Sequence, residues 1–129
     1  MHKSRLGVLV IDCQTDDQLK DYASFWSAAL GHTRSAPTID NDGKYAELHG
    51  PDGELRVLLQ KVDHESRVHL DIETDDIEAE VERLVSLGAR RLADIKGWVV
   101  LEAPSGHRFC VVKPQRPDFA DNAKSWDRG

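Results

Sequence analysis

The chain has 129 residues, enough for one domain with a real hydrophobic core. Its 40% hydrophobic and 31% charged residues describe a folding sequence with a well-charged surface, and its net charge of −6 argues against nucleic acid or an anionic membrane as the main partner, since both select basic patches. The longest apolar run, residues 7–11, is far too short to span a bilayer, and two cysteines, Cys13 and Cys110, are too few for a disulfide framework, so a reduced, cytoplasmic setting is expected.

The N-terminal segment has basic residues but runs into Asp12 without a small-residue cleavage site, so it reads as a first strand, "GVLVID", rather than a signal peptide. In "DDQLKDYASFWSAAL" the residues Leu19, Tyr22, Ala23, Trp26 and Leu30 recur at helical spacing, which predicts a helix capped by Thr15 or Asp16 and ended by Gly31. Two strands, "KYAELHG" and "LRVLLQKV", follow around the turn "PDGE". The next strand is "RVHLDIE". Its alternation predicts Val68, Leu70 and Ile72 on a face that packs the following helix, with His69, Asp71 and Glu73 opposite. That helix, "DDIEAEVERLVSLG", carries Ile77, Val81, Leu84, Val85 and Leu87 as its stripe, Thr74 or Asp75 as its cap and Gly88 as its stop. "GWVVLEA", the turn "PSGH" and "RFCVVKP" complete the pattern. Residues 115–129 read as an irregular extension with Phe119 and Trp126 as its only large apolar anchors.

The halves match in order. Thr15-Asp16-Asp17 corresponds to Thr74-Asp75-Asp76, Leu30-Gly31 to Leu87-Gly88, and Pro51/Gly53 to Pro104/Gly106. The prediction is an α+β fold: a single domain over residues 1–114 made of two βαβββ modules, about 5–63 and about 66–114. Two such modules are expected to curve their sheets around a shared cleft, a usual place for a small ligand.

"IDCQTDDQLKDYASFWSAALG", "RVHLDIETDDIEAEVERLVSLGARR" and "WVVLEAPSGHRFCVV" resemble the glyoxalase-like branch of the vicinal oxygen chelate superfamily, which groups glyoxalase I, bleomycin-resistance proteins and extradiol dioxygenases. The resemblance covers nearly the whole chain up to about Pro114. It implies paired βαβββ modules forming an open, barrel-like cleft, and four candidate metal positions that fall on Gly7, Gln60, His69 and Cys110. Gly7 has no side chain and Gln60 is a neutral, poor ligand, whereas a catalytic divalent site has about three good protein ligands. No metal cofactor is therefore expected, and His69, Gln60 and Cys110 are the set that would hold one.

The remaining candidates have two readings each. His69 is a ligand-orienting or acid/base group, or a hydrogen-bonded structural histidine. Asp71 orients His69 or contacts ligand, or lines a solvent-facing strand; Glu73 reads as exposed. Cys110 forms a nucleophilic pair with His69 or is a small buried hydrophobe. Gln60 and Arg56 share a strand face that the resemblance turns into the cleft, where Gln60 could bond a ligand and Arg56 attract an anion. Tyr45 and Trp98 occupy matching places and either stack on a planar ligand or pack the sheet. His49, His64 and His107 read as exposed turn residues. The expected function is metal-independent binding of an organic, aromatic or drug-like ligand in the inter-module cleft. The alternative is a lyase or isomerase of glyoxalase type, using a divalent metal or His69 as acid/base. The expected partners are a small molecule and a second copy in a homodimer, with no nucleic acid and no membrane.

Overall fold

Apolar residues at every second position build the strands of the first of two compact units, Val8–His69. In the computed structural model, the described residues are 1–34, 44–51 and 53–127, so Asp52 of the first turn and the last two residues of the extension lie outside them. Strand β1 (His2–Gln14) runs parallel to β4 (Arg56–Val62) over Val8–Gln14. Strand β3 (Tyr45–His49) pairs antiparallel with β4, and the two-residue β2 (Thr33–Arg34) pairs antiparallel with β3. Helix α1 (Leu19–Leu30) buries Leu19 and Ala23 against Cys13, Leu48, Val57 and Leu59, with Tyr22 and Trp26 packed at the margin. Each of the buried leucines and Val57 contributes about 1.5–3 kcal/mol by leaving water. Leu30, assigned to the same stripe from its spacing, is exposed at the helix end.

The second unit combines Met1–Gly7 with Leu70–Gly129. Strand β5 (Arg67–Thr74) contributes its later residues to this unit, where they run parallel to β8 (Arg108–Val112). β8 pairs antiparallel with β7 (Trp98–Glu102), and β7 with β6 (Arg90–Ile95), which lies at the sheet edge. Helix α2 (Ile77–Ser86) buries Val81 against Val99, Leu101 and Val111. The matching turns at Gly53 and Gly106 have φ of 89° and 92°, a conformation that glycine adopts without steric cost. The extension is ordered on its own chain. A short helix, α3 (Phe119–Asn122), buries Phe119, and β9 (Lys124–Trp126) pairs antiparallel with His2–Ser4 of β1. Trp126 Nε1 donates to Ser4 Oγ at 2.7 Å, and the Arg83 guanidinium lies 3.9 Å from the Trp126 ring centre.

The architecture is the expected mixed α+β fold with an open sheet. Several local expectations change. The cap of α2 is Asp76, whose side chain accepts from Ala79 N, and α1 begins after Gln18 with no side-chain cap. Val85 and Leu87 are exposed, because α2 lies over β6, β7 and β8 and its stripe narrows towards its end. Val68 and Leu70 of β5, expected under the helix, are 52% and 41% exposed. Glu73, read as exposed, is 1% exposed; Arg5 Nε donates to its Oε1 at 2.9 Å and Gln115 N to its Oε2 at 2.7 Å.

Candidate functional site

The face of the Val8–His69 sheet turned away from α1 carries polar side chains in a row. Leu59 and Ile11 pack towards the helix, so their neighbours Gln60 and Asp12 point the other way. Asp12 stands opposite Gln60 on the parallel β1–β4 ladder, and Gln60 stands opposite Tyr45 on the antiparallel β3–β4 ladder. Ladder partners share a face, so register alone aligns Tyr45, Gln60 and Asp12. Gln60 Nε2 lies 3.5 Å from the Tyr45 hydroxyl. His69, at the start of β5, extends the row: its Nδ1 is 2.7 Å from Asp12 Oδ2.

Asp12 is the residue that the sequence reading missed. It is only 3% exposed, and its second oxygen, Oδ1, is buried with no hydrogen-bond partner among the described residues. A buried polar atom left unpaired costs about 1–3 kcal/mol, so this is a poor device for stability alone. The signal was present in the sequence, as a carboxylate ending the apolar strand "GVLVID". The residue of β1 beside His69 is thus Asp12. Gly7 instead meets Glu73, where an added Cβ would lie 2.4 Å from Glu73 Cγ. Asp12 Oδ2 also has Arg67 Nε at 3.9 Å.

The other candidates are placed as follows. Arg56 donates Nε to Glu47 Oε1 at 2.6 Å, and this bond holds the Glu47 carboxyl below the usual carboxylate range despite its partial burial. The Arg56 charge is therefore met on the chain. A depression of about 460 Å³, within the range of small-ligand pockets, opens beside Gln60 and is lined by Thr15, Asp16, Lys44, Lys61 and His64. In the other unit, Asp71 and Cys110 face each other as ladder partners on β5 and β8, both half-buried. Trp98 opens β7 opposite Ile95 on the edge strand and is exposed.

The donors of the row are few for a divalent ion. Asp12 and His69 are a carboxylate and an imidazole bonded to each other, and the Gln60 amide faces Tyr45. One carboxylate, one imidazole and one neutral amide fall short of three good ligands, so this donor set does not fit a catalytic metal. What the arrangement can do is bond polar groups of a ligand and hold an imidazole in one orientation. With Nδ1–H donated to Asp12, His69 Nε2 carries the lone pair that accepts a proton or a hydrogen bond.

Known structures share this architecture. A hypothetical protein from Bacillus halodurans superposes with a TM-score of 0.62 at 18% identity, covering 88% of this chain and 97% of that one. Methylmalonyl-CoA epimerase from Mycobacterium tuberculosis gives 0.62 at 18% identity, covering 90% and 91%. A glyoxalase/bleomycin resistance protein/dioxygenase superfamily member from Vibrio splendidus gives 0.50 at 20%, covering 84% and 98%. At these identities the likenesses show the fold alone. The chain belongs to the glyoxalase-like domain family, whose model matches residues 8–112. No curated protein matches the chain. No described helix is long and apolar enough to cross a membrane.

Proposed function

We propose that this glyoxalase-like protein binds a small organic ligand along the Tyr45–Gln60–His69 row, without a metal. The observation that carries this reading is the row itself: three half-buried polar side chains on the helix-free sheet face, the last of them fixed by a buried carboxylate. A few polar groups at fixed points on a partly covered face are what orient a small ligand in its site. Tyr45 offers a ring and a hydroxyl, Gln60 an amide, and His69 an imidazole. A homodimer is part of the same reading and rests on the family resemblance.

A stability screen of planar aromatic and carbonyl compounds on chelator-treated protein tests it. A ligand at a hundred times its Kd is expected to add about 2.7 kcal/mol, and Gln60→Leu or His69→Phe is expected to remove most of that gain. Stabilisation that appears only after a divalent ion is restored would sink the metal-independent reading. A second reading, proton transfer by His69 to or from a bound carbonyl compound, is favoured by the Asp12 contact, because a pure binding site has no need of a buried carboxylate that fixes one imidazole tautomer.

A further inference from the structure

Arg67 stands two residues before His69 on β5, so both side chains leave the same face of the strand. Both reach the same oxygen, Asp12 Oδ2, His69 by a 2.7 Å hydrogen bond and Arg67 Nε at 3.9 Å, beyond hydrogen-bond length. Among the described residues Arg67 also places Nη2 at 3.3 Å from His64 Nε2. His64 Nδ1 lies 2.9 Å from the Glu65 carbonyl, which can only accept, so the His64 proton belongs on Nδ1 and Nε2 is the acceptor for Arg67. A guanidinium has five N–H donors; these contacts engage a minority of them, and the side chain is 46% exposed. Arg56, by contrast, is tied to Glu47 at 2.6 Å. Asp12, a like charge for an incoming anion, is buried with Oδ2 turned to His69 and Arg67.

We propose that Arg67 selects the ligand: the small molecule bound at the row carries a carboxylate, which the guanidinium takes through two parallel N–H donors. The fork of an arginine matches the two coplanar oxygens of a carboxylate. With that group anchored at Arg67, the rest of the ligand extends over His69 towards Gln60 and Tyr45. This inference rests on the binding reading above and narrows it to organic acids.

The test titrates the full chain with benzoate, benzamide and inorganic phosphate, following the His69 imidazole signals by NMR. Benzoate is expected to bind roughly tenfold to a hundredfold more tightly than benzamide. Arg67→Met is expected to bring benzoate down to the level of benzamide, and Arg67→Lys, which keeps the charge without the fork, to fall between. Because Arg67 is half-exposed both variants should fold, and Arg67→Lys carries the comparison if the methionine variant does not. Benzoate binding no tighter than benzamide, or unaffected by Arg67→Met, overturns the assignment of Arg67 while leaving the binding row intact. Phosphate outcompeting benzoate overturns the carboxylate class. If neither aromatic probe moves the His69 signals, the binding row itself fails and this inference falls with it.

Discussion

At the scale of single residues, the contact between Asp12 and His69 changes what the imidazole can do. An isolated surface histidine samples two tautomers, whereas Nδ1 held 2.7 Å from a buried carboxylate oxygen leaves Nε2 as the working nitrogen. Asp12 is a positioning residue in this scheme, acting through His69. If the protein exchanges protons α to a carbonyl, Asp12→Asn should lower the rate of deuterium incorporation from D2O on the order of a hundredfold, with ligand affinity little changed. An equal loss of rate and affinity would mark Asp12 as structural instead. Gly7 shows the opposite kind of constraint. It is small because Glu73, pinned by Arg5 and by Gln115 N, fills the space where a side chain would be.

At the scale of elements, the two helices are built to different standards. Asp76 accepts from Ala79 N, and Glu78 and Glu80 place negative charge in the first turn of α2, where the helix dipole favours it. Helix α1 has no such side-chain cap; Thr15 Oγ1 accepts from Gln18 N one step earlier and shapes the approach to the helix. Asp76→Ala should therefore cost about 1 kcal/mol in denaturant unfolding. The corresponding Gln18→Ala should cost only a few tenths, and a loss at Gln18 as large as that at Asp76 would contradict the assignment. Strand β5 is the element whose faces were legible but whose burial was not: Leu70 and Ile72 pair with Phe109 and Val111 on the sheet face that carries α2, as expected. His69, Asp71 and Glu73 are nonetheless the better-covered side, and Val68 and Leu70 are exposed.

At the scale of the molecule, acid stability depends on carboxylates with basic partners. Burial works to raise the Glu80 pKa, but hydrogen bonds from Arg83, His2 and Ser4 outweigh it and hold the carboxyl below its ordinary value of 4.5. Glu47 is lowered by Arg56 in the same direction. A carboxyl whose folded pKa is depressed contributes stability that is fully present above its unfolded pKa and is lost as pH falls through the folded one. The free energy of unfolding should thus hold down to about pH 4.5 and fall below it. Glu80→Gln should be less stable at neutral pH and lose less on acidification, so the two curves converge. Parallel curves in denaturant melts across that range would show that Glu80 does not carry the acid limb. Glu80 also steadies the contact with the extension through Arg83: it receives His2 Nε2 at 2.7 Å and both Arg83 donors, and Arg83 in turn covers the Trp126 ring.

The sequence by itself determined the α+β class, both long helices to within a few residues, the main strands and the duplication, because these follow from the spacing of apolar residues and from turn chemistry that is local. It did not disclose β2, which is two residues long, or β6, whose six residues are all exposed and carry no buried face to read. It singled out Tyr45, Gln60 and His69 one at a time, since each is a polar residue at a legible strand position. Only the tertiary structure decided that Asp12 joins them and that Arg67 and His69 approach the same Asp12 oxygen. Asp12 and His69 are 57 residues apart, and their contact depends on the register of β1 against its neighbours, which no local pattern encodes. The same holds for Glu73: alternation gave its face, and packing by Arg5 and Gln115 decided that the face is buried.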